Sequence, residues 1–125
     1  MNKKIKDLVI ARLTMFGVTL EETDTPMIEY GIEFIGLKIK NFCNIEEIPE
    51  ELDYEWANAV CADFLRMKLS TGSLENVSGI VKSITEGDTT ISYSESGTPE
   101  SQLLECISRM SLDISGLVRF RKMVW

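Results

Sequence analysis

Histidine is missing from the whole sequence, which removes the most frequent general base, the imidazole of a catalytic triad and the commonest nitrogen ligand for zinc. Only three cysteines are present. Cys43, Cys61 and Cys106 form no CxxC pair and lie far apart along the chain, so a zinc site lacks both the ligands and the spacing. Glycine is present, but no GxGxxG, Walker or GxSxG arrangement cradles a phosphate or presents a nucleophile. Glu46 and Glu47 are a pair of carboxylates, yet no loop spaces its ligands as calcium sites do. Lysine and arginine are outnumbered, 13 against 20 acids for a net charge of −7, which argues against a general grip on nucleic acid. Long apolar runs are lacking too. The stretch from Ile5 to Phe16 is broken by Lys6, Asp7 and Arg12, and so reads as neither a signal h-region nor a membrane span. The sequence therefore predicts no catalytic residues, no metal, no cofactor and no membrane contact.

What is present suits one globular domain spanning residues 1–125. With 44% hydrophobic residues the chain can bury a core without staples, and its scattered thiols read as small buried hydrophobes in a reducing compartment. Charge is unevenly spread. Between residues 20 and 55 eleven acids face only Lys38 and Lys40, a local net of −9, which leaves +2 for the remainder. An acidic middle with basic ends suits charge-complementary contact between copies or with a partner.

Apolar spacing predicts about four helices. Ile5, Leu8, Val9, Leu13 and Phe16 give the first, which Gly17 ends. Ile28, Ile32, Ile35, Ile39 and Phe42 give the second, opened by Thr25-Pro26, and its Gly31 and Gly36 suggest that a neighbour approaches closely. A turn around Pro49 leads to a third, with Trp56, Ala59, Val60, Phe64 and Met67 on one side and a stop at Ser70-Thr71-Gly72. Glu50, Glu51, Asp53 and Glu55 fall at its start, where carboxylates interact favourably with the helix dipole. Thr98-Pro99-Glu100 opens the last, with Leu103, Leu104, Ile107, Met110 and Ile114 inward.

Before that last helix the pattern changes. Residues 80–85 and 89–93 are β-branched, partly alternating runs on either side of Glu86-Gly87-Asp88, and they predict a β-hairpin at about 79–94. The chain then closes on a tail, residues 117–125, that combines Arg119, Phe120, Arg121, Lys122 and Trp125. Leaving a Phe and a Trp unburied would forfeit roughly 1.5–3 kcal/mol each, so this segment is expected to seek a core or a partner. Arg119, Phe120, Arg121 and Trp125 of the tail, with Ile84, Asp88, Ile91 and Tyr93 of the hairpin, are the candidate partner-binding residues. The expected fold is mainly α, a small bundle of about four helices with one β-hairpin insertion.

The order of these features is similar to one family. Asn41-Phe42-Cys43-Asn44 at a helix end, Ile48-Pro49-Glu50-Glu51-Leu52, Trp56-Ala57-Asn58-Ala59-Val60, a Val-x-Ser-Ile-x-x-Gly-Asp-Thr run from Val81 to Thr89, and a tail ending Phe120-Arg121-Lys122-Met123-Val124-Trp125 resemble the head-to-tail connector (head-completion, or adaptor) proteins of long-tailed bacteriophages and prophages. The resemblance implies a structural virion protein with no chemistry of its own, free in the bacterial cytoplasm until assembly places it at the head–tail interface. It implies a ring, generally of twelve copies, that binds the portal protein above and a tail-side completion protein below. DNA would pass through the channel without sequence-specific binding. Other readings compete: a small acidic helical regulator or a tail-completion protein binding a single protein partner, and an enzyme with an unrecognised site.

Overall fold

The computed structural model describes residues 2–72, 74, 77–87 and 98–111, and these residues contain five α-helices and no strand. The helices are α1 (Asn2–Met15), α2 (Asp24–Cys43), α3 (Asp53–Ser70), α4 (Val77–Gly87) and α5 (Pro99–Met110), with a one-turn 3-10 helix, Glu50–Leu52, leading into α3. α3 is the centre of the bundle: α1, α2 and α5 all pack on it, and α4 packs on α5. Its sequence fits that place. Ala57, Ala59 and Ala62 keep its surface low while Trp56, Val60, Phe64 and Leu65 fill the gaps, and all are buried.

The stop signals of α1 and α2 and the start signal of α5 are obeyed. Gly17 takes a left-handed φ of +82° after α1, and the Val18 N–H returns to the Leu13 carbonyl at 3.1 Å, which satisfies an end carbonyl that α1 leaves open. Asn44, also left-handed, closes α2. Thr98 caps α5 by accepting a 3.2 Å bond from the Ser101 N–H, with Pro99 in the first turn where a missing N–H costs nothing. Among the described residues no helix is long and apolar enough to cross a membrane.

Four expectations need correction. The first arm of the predicted hairpin is α4, which runs through Glu86 and Gly87, where the turn was expected. Val77, Ile80, Val81 and Ile84 fall at i, i+3, i+4 and i+7, and packing that stripe against α5 buries Ile80, Val81 and Ile84. The preference of β-branched residues for strands spans only ~1 kcal/mol, whereas burying each of these side chains contributes roughly 1.5–3 kcal/mol, so burial wins. The second arm, residues 89–93, lies outside the described residues. Leu104 was expected inward but is exposed, because the buried stripe of α5 is Leu103, Cys106, Ile107 and Met110, and Leu104 sits beyond its edge. Ile114 lies outside the described residues. Met67 of α3 is likewise exposed rather than inward. Finally, α2 starts at Asp24, not after Pro26. The Asp24 carboxylate accepts the Glu21 N–H at 2.9 Å and holds Lys68 at the far end of α3 at 3.0 Å, an ion pair that starts the helix early.

Candidate protein-interaction surface

α2 is apolar on two opposite sides. Ile28, Ile32, Ile35 and Ile39 face inward, and the two glycines between them let α3 come close. A Cβ on Gly31 would lie 3.3 Å from Val60 Cγ1, and one on Gly36 only 2.8 Å from Trp56 Cζ2. Trp56 uses that gap to donate its indole N–H to the Ile32 carbonyl at 3.0 Å. That carbonyl also closes a turn of α2, so the bare backbone at Gly36 is what admits a second donor. The sequence expectation of close approach at these glycines is met.

Turned away from α3, Tyr30, Phe34 and Leu37 recur at i, i+4 and i+7 and stand 63%, 39% and 58% exposed. The rings of Tyr30 and Phe34 stack, with centroids 5.9 Å apart and planes within 12°. Lys38 Nζ lies 4.6 Å from the centre of the Phe34 ring, a cation–π contact on the rim of the strip. Glu33 is exposed beside the aromatics, and Glu29 is bound by Lys6 of α1 at 3.0 Å. Between α1 and α2 lies a shallow groove of about 420 Å³, lined by Lys3, Lys6, Asp7, Glu29, Ile32 and Glu33. Its lining carries two lysines and three acids, of which Lys6 and Glu29 form an ion pair.

Four titratable groups among the described residues are shifted by their surroundings. Burial alone would raise the Asp24 carboxyl, but the Glu21 N–H and the Lys68 ammonium outweigh it and hold Asp24 below the usual carboxylate range. Asp53, at the start of α3, bonds Lys4 of α1 at 2.9 Å, and that bond and its charge raise the lysine. Burial pushes the Cys61 thiol up to about 12, and its Sγ–H points to the Val9 carbonyl at 3.8 Å. Burial also raises Cys106, with the Glu105 charge adding to it. Cys43, Cys61 and Cys106 are all buried thiols outside any disulfide, as expected of small hydrophobes rather than nucleophiles. Among the described residues no cluster of three or more His, Cys, Asp or Glu side chains could hold a metal ion.

Of the sequence-derived candidates, Ile84 is fully buried inside the bundle, so it is packing rather than an exposed contact. The reason is the helical stripe that replaced the hairpin arm. Asp88, Ile91, Tyr93, Arg119, Phe120, Arg121 and Trp125 lie outside the described residues. The exposed strip on α2 was missed by reading only the isoleucine stripe. Its signal was present, since Tyr30, Phe34 and Leu37 repeat at helical spacing on the opposite side of the same helix. Comparison with protein-family models, with curated proteins and with solved structures gave no match.

Proposed function

We propose that this chain is a structural protein of a bacteriophage or prophage virion, a head-to-tail connector that assembles as a ring under the portal and joins capsid to tail. The observation that carries the reading is the aromatic strip of Tyr30, Phe34 and Leu37, which the described part of the chain leaves open on a helix whose other side is fully packed. Large exposed apolar residues at regular spacing mark contact surfaces, and heterologous contacts of this kind close into rings when the rotation permits. The ordered motifs from Asn41 to Trp125 support the same reading through their resemblance to connector proteins. The role is mechanical, with no cofactor. An acidic chain lining a channel would let DNA slide without the counterion-releasing grip of a basic binder.

A regulator docking on one protein is the second reading, favoured by the exposed carboxylates of Glu46, Glu47, Glu50 and Glu51 around Pro49. Deleting residues 117–125 separates the two. The connector reading expects a truncated protein with near-normal helical content, failure to attach to portal-bearing capsids, and accumulation of tailless heads. Virions that assemble normally with the truncated protein would show that residues 117–125 are not the docking element, and a tight closed dimer in native mass spectrometry at sub-micromolar protein would overturn the connector reading. A stable one-to-one complex with a single non-virion protein would establish the regulator.

A further inference from the structure

We infer that the aromatic strip on α2 is the docking site for the basic C-terminal segment, residues 117–125, of a neighbouring copy. The inference rests on the ring reading above and names the contact that would link one subunit to the next. Three observations point to this occupant.

The first is size. From the exposures of Tyr30, Phe34 and Leu37, the strip offers roughly 300 Å², taking 150–250 Å² for a whole aromatic side chain. A stable dimer face needs about 800 Å² per partner, so the strip fits a short peptide better than a second globular surface. The second is charge. The strip lies in the acidic stretch of the chain with Glu33 at its edge, whereas the C-terminal segment carries Arg119, Arg121 and Lys122 and no acid. Such complementarity selects the partner and its register. The third is side-chain type. Phe34 already accepts a cation on its ring from Lys38, and Tyr30 extends the same stack, so the surface suits arginine and aromatic anchors. Phe120, Arg121 and Trp125 supply both.

The contact is heterologous, tail of one copy on the helix of the next, and so propagates around a ring instead of ending in a pair.

The test uses full-length chains and a nitroxide attached at Met123→Cys. The native thiols at Cys43, Cys61 and Cys106 are buried and leave the new cysteine as the reactive one. Unlabelled-isotope chains carrying the nitroxide are mixed with ¹⁵N chains lacking it, at about 1 mM protein, where even a millimolar Kd is populated. Broadening of the amides of residues 30–37 in the ¹⁵N chains is expected. A Phe34→Ser change in the ¹⁵N chains should weaken the contact roughly tenfold, without changing their helical content. Broadening only when nitroxide and isotope share one chain would overturn the inference, because the tail would then lie on its own bundle. No broadening of residues 30–37 in either mixture would overturn it as well. Failure of the connector reading is separate: wild-type protein that docks between copies yet never enters virions would sink that reading alone.

Discussion

On its inner side α2 buries Ile28, Ile32, Ile35 and Ile39 against the bundle, whereas on its outer side Tyr30, Phe34 and Leu37 stand in solvent. Both sides are apolar and both follow helical spacing. They differ in what lies opposite. Inside, glycines at 31 and 36 bring α3 close enough for Trp56 to reach a backbone carbonyl, and an ion pair from Asp24 to Lys68 fixes the other end. Outside, the rings stack on one another and on a lysine, and no other helix of the described chain covers them. Apolar residues on a helix therefore report two different things, and position relative to the packed neighbours decides which.

The largest break in this comparison should come from the inner side. Ile35→Ala is expected to cost about 2–5 kcal/mol in chemical denaturation, because it leaves a cavity that a close-packed interior cannot fully collapse. A loss below roughly 0.5 kcal/mol would mean that the inner stripe is not core.

Next in size is the ion pair that ties α2 to α3. Lys68→Met should cost about 1–3 kcal/mol, less than a fully enclosed pair because Lys68 still touches water. Acid sharpens the point. Asp24 is held below the usual carboxylate range, so on acidification the unfolded chain takes up this proton first. The contribution of the pair is thus complete above about pH 5 and is lost as pH falls from ~4, the ordinary carboxylate value, through the folded one. Denaturation midpoints of wild type and Lys68→Met should converge over that window. A constant gap down to low pH would contradict the assignment.

Smaller effects come from the glycines. Gly36→Ala pushes a Cβ to 2.8 Å from the Trp56 ring, so the indole must shift and its bond to Ile32 is strained. A net cost of about 1–2 kcal/mol is expected, since overpacking exceeds the gain in helix propensity. Gly31→Ala meets only Val60 Cγ1 at 3.3 Å, and a small relaxation there sets its cost against a propensity gain of up to about 1 kcal/mol. Equal losses at the two positions, measured by thermal melting, would show that Trp56 is not the controlling neighbour.

The smallest expected effect lies outside. Phe34→Ser should cost no more than about 1 kcal/mol while weakening association, because it removes only the half-exposed stack on Tyr30 and the Lys38 contact and leaves no cavity in the core. If Phe34→Ser unfolds the protein, the outer strip is structural and the comparison fails.

Much of this was legible in the residues themselves. The first three helices, their stop signals at Gly17, Asn44 and Gly72, the Thr98-Pro99 start of α5 and the close approach at Gly31 and Gly36 all follow from short-range chemistry. The hairpin arm was misread because Ile80 to Thr85 satisfies both an alternating and a helical pattern over so short a run. Leu104 was misplaced because it adjoins Leu103 in sequence, yet one residue along a helix turns by about 100° and carries it past the buried arc of Leu103, Cys106, Ile107 and Met110. The outer strip of α2 was present in the spacing but indistinguishable from more core.

The sequence by itself determined that this chain is mainly helical, acidic in its middle, without histidine chemistry, and where α1 and α3 stop and α5 starts. Those properties depend on residue type and on neighbours within a turn or two. Only the tertiary structure decided that residues 77–87 form a helix, that Asp24 reaches across to Lys68, and that Tyr30, Phe34 and Leu37 face outward. The physical reason is the same in each case. Burial energy is assigned by which surfaces meet, and that is settled between segments far apart in the chain, not within any one of them.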